Sequence, residues 1–83
     1  MAFTNEQILS DLEAIFRDVL DDNSIRLDTN ITANDVADWD SVNHLVLLHA
    51  IEQKYGIKFD LNEMIGFRNV GDISACIVLK LSN

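Results

Sequence analysis

Residues 40–60, DSVNHLVLLHAIEQKYGIKFD, decide the fold of this chain. Asp40 stands before a run without glycine or proline, and Gly56 follows that run. Aspartate is a preferred helix N-cap, and glycine commonly ends a helix because it adopts the left-handed conformation at no steric cost. The stretch therefore predicts a helix from Ser41 to Tyr55, capped by Asp40 and stopped by Gly56.

This predicted helix is apolar on two sides. Its helical periodicity gives a core face made of Leu47, Leu48, Ile51 and Tyr55. A second apolar face, interrupted by His49 and Gln53, consists of Val42, Leu45, Val46 and Ala50. Because a domain this small can hardly cover both faces, we expect Val42, Val46 and His49 to face a partner.

Upstream of this helix, the pattern predicts a first helix and a long ordered connection. Thr4 and Gln7 fit a capping box, and Phe3 with Ile8 fits a hydrophobic staple. One apolar stripe follows at helical spacing, at Ile8, Leu9, Leu12, Ile15, Phe16, Val19 and Leu20. The connection over residues 21–39 is expected to lie against the body, held by Ile25, Leu27, Ile31, Val36 and Trp39.

Downstream, two further caps predict a short helix and a last helix. Asp60 with Glu63 opens a helix to about residue 65, and Gly66 ends it. Asn69 opens the last helix, whose inward residues are Val70, Ile73, Cys76, Ile77 and Leu81. The sequence thus predicts one all-α domain over residues 1–83, a small four-helix bundle with three main helices and one short helix.

The composition narrows the classes of partner and location. The chain has 83 residues, 48% of them hydrophobic, with three glycines and no proline. Its single cysteine cannot form an internal disulfide, its first residues lack the basic region of a signal peptide, and no apolar run is long enough to span a membrane. We therefore expect a cytoplasmic monomer that does not bind membranes.

The net charge of −8 comes entirely from the first half of the chain. Residues 1–40 hold ten acidic and two basic side chains, whereas residues 41–83 hold four of each. Binding to nucleic acid usually needs a basic patch, so nucleic acid is not expected as a partner. The acidic charge instead favours a protein with a basic surface as the partner. Solubility alone would explain the net charge but not its uneven distribution.

Ser41 first suggests a hydrolase nucleophile. His44 follows three residues later on the same predicted helix, and Asp35, Asp38 or Asp40 would be near enough in sequence to orient it. The glycine-flanked nucleophile turn and a glycine-rich oxyanion loop are both absent, and the chain is too short for a usual hydrolase scaffold. We therefore expect no catalytic residue.

The same three aspartates also suggest a site for a hard cation. An EF-hand loop needs ligands at alternating positions, a central glycine and a terminal glutamate. Residues 33–44, ANDVADWDSVNH, lack the glycine and the glutamate. Two histidines and one cysteine, widely spaced, give no zinc pattern. We therefore expect no metal.

Two interpretations of Ser41 then remain open on the local pattern. In the first interpretation, Asp40 caps the helix and Ser41 is a tolerated first-turn residue in a helical protein-interaction module without a prosthetic group. Alternatively, Ser41 is an attachment point, because the free N–H groups and the dipole of a helix start favour a phosphodiester on its hydroxyl.

Over nearly its whole length the chain resembles the acyl carrier proteins of the phosphopantetheine-attachment family. The central motif of that family is Asp-Ser-Leu at the start of the second helix, and here it reads Asp40-Ser41-Val42. The resemblance also covers the amphipathic first helix, the long connection, residues 40–60, the short third helix and the stretch NVGDISACI at residues 69–77.

The resemblance implies that a phosphopantetheinyl transferase attaches 4'-phosphopantetheine from coenzyme A to Ser41. The thiol of that arm would carry an acyl or aminoacyl group as a thioester. The chain, itself no enzyme, would receive it from acyl- or aminoacyl-activating enzymes and deliver it to acyl-transferring enzymes of lipid or secondary-metabolite biosynthesis. A pocket for the group is expected among His44, Leu48, Met64, Ile65 and Phe67, with plain core packing as the alternative for each.

Two departures from the family pattern predict dedicated partners. Val42 replaces the usual leucine, and among the positions where fatty-acid carriers show acids to their partners (Asn43, Val46, Glu52 and Gln53) only Glu52 is acidic. Acidity lies instead in the preceding connection. We therefore expect a specialised carrier whose partner face consists of Asp35, Asp38, Val42, Val46, His49 and Glu52.

Overall fold

A computed structural model describes residues 4–82, which form four α-helices and, within that range, no β-strand. The helices are α1 (Asn5–Leu20), α2 (Ser41–Tyr55), α3 (Leu61–Gly66) and α4 (Val70–Leu81). The predicted all-α architecture of three main helices and one short helix is confirmed. The bounds of α2 are those that the Asp40 and Gly56 signals predicted.

Each helix begins at a side-chain cap, as the sequence predicted. The cap accepts the N–H group three residues later, which has no partner within the helix. The reciprocal bond of a capping box is present at α3 and does not form at α1, while the staple predicted with Phe3 lies outside the described residues. The caps and the N–H groups they accept are Thr4 with Gln7, Asp40 with Asn43, Asp60 with Glu63, and Asn69 with Asp72, at 3.1, 2.8, 2.8 and 2.8 Å.

The two longest helices end in left-handed residues. Gly56 has φ 67°, and its N–H donates to the Glu52 carbonyl at 2.8 Å. Asp21, the first residue of the long connection, has φ 52°, and its N–H donates to the Arg17 carbonyl. Short polar residues tolerate this conformation better than most others do, which explains why the chain turns away from α1 here.

The core lies where α1 packs on α2 and α4. The predicted α1 stripe supplies four buried residues to it, and α2 and α4 supply three each. A hydrogen bond from the Tyr55 hydroxyl to Asp11 at 2.7 Å joins α1 and α2, and burial together with that carboxylate raises the pKa of Tyr55. The buried apolar residues are Ile8, Leu12, Phe16, Leu20, Ile25, Val36, Trp39, Leu47, Leu48, Ile51, Phe59, Val70, Ile73 and Ile77.

The long connection between α1 and α2 is held against the body, as predicted. Ile25, Val36 and Trp39 are buried, and Leu27 and Ile31 pack against the core at partial exposure. These side chains fix the path of the connection, so Ser41 begins α2 at a defined place.

Hydrogen bonds to α1 and to the start of α4 reinforce this path. Towards α1, the Arg17 guanidinium donates to the Ile25 carbonyl at 2.8 Å, and the Leu27 N–H donates to the Glu13 carboxylate at 3.0 Å. These bonds give two backbone groups of the connection partners within the protein, so they do not need water as a partner.

At the start of α4, the Gly71 N–H donates to the Thr29 carbonyl at 3.0 Å, and the Val70 N–H donates to Ile31 at 2.9 Å. A Cβ atom on residue 71 would lie 2.8 Å from the Thr29 carbonyl oxygen. Glycine therefore permits the close approach of the connection to α4.

Candidate functional site

Ser41 is the first residue of α2 and its side chain is exposed. Asp40 stands before it in extended backbone and caps the helix through the Asn43 N–H. Among residues 4–82, no hydrogen bond to the Ser41 hydroxyl is found. The hydroxyl is thus reachable by another molecule and is not committed to a structural bond.

The backbone at Ser41 favours negative charge. The N–H groups of Ser41 and Val42 lie in the first turn, where a helix offers no carbonyl partner. The positive end of the α2 dipole points the same way. A phosphodiester on the serine would be stabilised there, while the Asp40 carboxylate already satisfies the third N–H group of the turn.

A groove of about 650 Å³ opens beside Ser41, between the start of α2 and α3. Its walls are mostly apolar, with Asp40 and Arg68 as the charged groups along it. Two residues of its α3 wall are unusually exposed for their type, Leu61 at 70% and Ile65 at 74%. The lining residues are Ala33, Trp39, Asp40, Ser41, His44, Leu45, Leu61, Met64, Ile65, Phe67 and Arg68.

The structure brings four of the five predicted pocket residues together along this groove: His44, Met64, Ile65 and Phe67. The expectation for Leu48 is wrong. Leu48 is buried in the core and does not line the groove. It lies one turn beyond His44 on α2, where its side chain packs in the core.

His44 forms the polar link across the groove. The Trp39 indole N–H donates to His44 Nδ1 at 3.0 Å, and His44 Nε2 lies 2.9 Å from the Met64 carbonyl oxygen. Because an indole N–H can only donate, Nδ1 is the accepting nitrogen and Nε2 carries the hydrogen that is donated to Met64. Both ring nitrogens are therefore occupied, and neither is available to take a proton from Ser41.

Aromatic rings surround this link. Trp39 packs edge-on against Phe16 of α1, with ring centroids 5.0 Å apart, and stacks with His44 at 6.0 Å. Phe67 approaches His44 edge-on at 6.4 Å and Phe59 at 5.4 Å. The rings connect α1 to the segment after α3, and Trp39, His44 and Phe67 form part of the groove lining.

The sequence predicted Trp39 as an anchor of the long connection but did not predict its bond to His44. A buried tryptophan usually needs an acceptor for its N–H, and that requirement is the available signal. Leu45 and Leu61 were also missed as groove residues. Their place on the groove depends on how α2 and α3 pack together, which the local sequence does not show.

The side of α3 away from the groove is tied to α4. Glu63 accepts the Asp60 N–H at 2.9 Å and pairs with Lys80 at 2.9 Å, and these bonds lower the pKa of Glu63. Cys76 donates to the same carboxylate at 3.4 Å. Burial, with the nearby carboxylate, raises the pKa of Cys76 to about 11, so the thiol stays protonated and unreactive near neutral pH.

Five of the six residues predicted to form the partner face are exposed: Asp35, Asp38, Val42, Val46 and His49. Val42 and Val46 keep 69% and 47% of their surface accessible. In the preceding connection, Asp35 accepts the Thr32 N–H at 2.9 Å, so its carboxylate is held in a turn. The exposed valines and this acidic connection therefore lie on either side of Ser41 in the chain.

The sixth expectation, for Glu52, is wrong. Glu52 is only 8% exposed, and its carboxylate accepts the Phe59 N–H at 2.8 Å. The segment after Gly56 folds back over α2 and uses this carboxylate to satisfy a buried backbone donor. Since Glu52 is the one acidic residue of α2, the exposed surface of that helix carries no carboxylate.

Neither a metal site nor a membrane-spanning helix is present within the described range. Over residues 4–82, no three side chains of histidine, cysteine, aspartate or glutamate stand close enough together to hold a metal ion. None of the described helices combines the length and the apolar character needed to cross a membrane.

Comparison with known proteins agrees with this geometry. Residues 10–77 match the family model described as phosphopantetheine attachment site. The chain is 33% identical over 79 residues to an acyl carrier protein of Rhodococcus erythropolis, covering 93% of this chain and 85% of that protein.

A solved structure is also similar. The solution NMR structure of a holo acyl carrier protein from Geobacter metallireducens matches with a TM-score of 0.83 and 43% sequence identity, covering 89% of this chain and 85% of that one. The family as a whole works with phosphopantetheinyl transferases and acyl-handling enzymes. From the fold and these matches, the chain belongs to the acyl carrier proteins of the phosphopantetheine-attachment family, non-catalytic carriers with a covalently attached 4'-phosphopantetheine.

Proposed function

We propose that Ser41 is the residue that holds the 4'-phosphopantetheine arm, and that the chain carries an acyl or aminoacyl group on it. The observation that carries this assignment is the position of Ser41: exposed, first in α2, and at the edge of the groove. When bound, the arm supplies a thiol that holds the group as a thioester.

The residues around Ser41 fit such an arm. The unpartnered N–H groups of Ser41 and Val42 favour a phosphodiester at the helix start, and Asp40 keeps that start in place as its cap. Arg68 adds a positive side chain to the groove lining. The site thus accepts negative charge at Ser41 and apolar surface beyond it.

The groove is the proposed resting place of the carried group. Its apolar lining includes Leu45, Leu61 and Ile65, whose exposed side chains would be covered by an acyl chain. Burial of apolar surface stabilises such a complex by about 25 cal/mol per Å² removed from water. A group held there is shielded from solvent until a partner enzyme displaces it.

We further propose that this carrier, a single domain working as a monomer in the cytoplasm, serves dedicated enzymes of lipid or secondary-metabolite biosynthesis. The support is the surface of α2, which presents Val42, Val46 and His49 and no carboxylate. A partner that depends on acidic contacts along this helix would find them only in the preceding connection, at Asp35 and Asp38.

Intact mass tests the attachment. Incubation with coenzyme A and a broad-specificity phosphopantetheinyl transferase should add one phosphopantetheine to the wild-type chain. Ser41→Ala should abolish the gain, whereas Ser24→Ala, at an exposed serine of the long connection, should retain it. No gain by the wild type, under conditions that modify a control carrier, would favour a helical interaction module without a prosthetic group.

A reaction with housekeeping fatty-acid synthase enzymes tests the dedicated partners. We expect poor loading and elongation on this carrier relative to a fatty-acid carrier assayed in parallel. Efficient elongation would contradict the proposal of dedicated partners and leave the attachment at Ser41 unaffected.

A further inference from the structure

The bond between His44 and Met64 spans the groove and joins α2 to α3. Among the described helices, α1 packs closely on α2 and on α4, whereas α3 has no comparably close helix neighbour. His44 Nε2 lies 2.9 Å from the Met64 carbonyl oxygen. This bond is therefore a direct polar tie between the two sides of the groove.

The chemistry of both partners makes the tie costly to break. Met64 lies in the last turn of α3, where a backbone carbonyl finds no N–H donor within the helix. The Trp39 N–H fixes the tautomer of His44, so the Nε2 hydrogen points to Met64. If an apolar group displaced the ring, the Met64 carbonyl and the Trp39 N–H would both lose their partners in a part-buried site.

His44 also stands between the groove and the core. The ring lines the groove, flanked by Trp39 and Phe67. Leu48, one turn farther along the same helix face, is fully buried. A chain on the arm that entered the core between His44 and Met64 would have to displace the bond that joins them.

We propose that His44 is a specificity-determining residue that confines the carried group to the outer groove. The tie to Met64 closes the passage between α2 and α3, so the carrier holds short and long acyl groups alike in the outer groove and does not draw long chains into the core. This inference rests on the proposed attachment at Ser41.

Chain-length dependence of shielding tests the inference. The wild type is loaded by a broad-specificity transferase from butyryl- and dodecanoyl-coenzyme A, and loading is checked by intact mass. Cleavage of each loaded form by hydroxylamine is then followed by mass spectrometry. Because both groups stop at His44, the wild type should lose the butyryl and dodecanoyl groups at the same rate.

Three variants separate the tie from general packing. His44→Asn retains an acceptor near Trp39 and is too short to reach Met64, so its dodecanoyl form should be cleaved about tenfold more slowly than its butyryl form, the effect of removing one hydrogen bond that opposes entry. His44→Gln, whose longer amide can still donate to Met64, should behave as the wild type does. Gln53→Asn, at an exposed residue of the same helix outside the proposed partner face, is the control.

Two results would overturn the inference: slower cleavage of the dodecanoyl group in the wild type, or equal rates for both groups in His44→Asn. A measurement on the wild type alone guards against a variant that fails to fold. The ¹⁵N signals of the His44 ring should show a protonated Nε2 and an accepting Nδ1 in both loaded forms. A change of this pattern on dodecanoyl loading would also contradict it. Failure to take up any arm, seen by mass, would remove the proposed attachment itself.

Discussion

Replacing Glu52 by alanine tests whether this side chain is structural. Glu52 is 8% exposed, and its carboxylate accepts the Phe59 N–H at 2.8 Å. Phe59 is itself buried, and no other acceptor for its N–H is found among residues 4–82. Glu52→Ala leaves that donor unsatisfied and removes packed side-chain atoms, so we expect a clear loss of stability.

The magnitude follows from the buried donor. An unsatisfied buried polar group costs about 1–3 kcal/mol, so a loss of about 2 kcal/mol is expected. For a domain of this size, that loss lowers the unfolding midpoint by about 8–16 °C. Glu52→Gln should lose much less, because its amide oxygen can still accept the Phe59 N–H.

Thermal and urea unfolding followed by circular dichroism provides the measurement. Gln53→Ala is the matched control, since Gln53 is the exposed neighbour on the same helix and its replacement should change stability by less than about 0.5 kcal/mol. If Glu52→Ala were as stable as Gln53→Ala, the carboxylate would not be supporting the segment after Gly56. The assignment of Glu52 as a structural residue would then be refuted.

Two further predictions concern the partner face and the contact between the long connection and α4. Val46→Glu should change the free energy of unfolding by less than about 0.5 kcal/mol because Val46 is 47% exposed, yet it should slow transfer to a dedicated partner enzyme; a large loss of stability would show that Val46 belongs to the core. Gly71→Ala should destabilise the fold by about 1–3 kcal/mol, since its Cβ would lie 2.8 Å from the Thr29 carbonyl oxygen, whereas Gly66→Ala, which meets nothing within 4 Å, should be neutral or stabilising. Equal stabilities of the two glycine variants in urea unfolding would contradict the close contact.

The helix boundaries were predictable because their causes are local. Asp40 caps α2 through a residue three positions later, and Gly56 ends it in a left-handed conformation. Such signals need no knowledge of the rest of the chain. The predicted path of the long connection also held, since side chains such as Trp39 and Ile25 have no apolar surface to contact except the core.

The errors in the candidate site arose from contacts between distant segments. The family resemblance placed Glu52 at the partner face, and it could not show that the backbone at Phe59 folds back onto the carboxylate. Helical periodicity grouped Leu48 with His44 on one face. It could not show that His44 lines the groove while Leu48 is buried in the core.

The residue that holds the arm is tested most directly by locating the modification within the chain. The protein is incubated with coenzyme A and a broad-specificity transferase, digested, and fragmented in the mass spectrometer. We predict that all added phosphopantetheine lies on Ser41 and none on Ser10, Ser24, Ser74 or Ser82. Modification of another residue, or of none while a control carrier is modified, would contradict the assignment of Ser41.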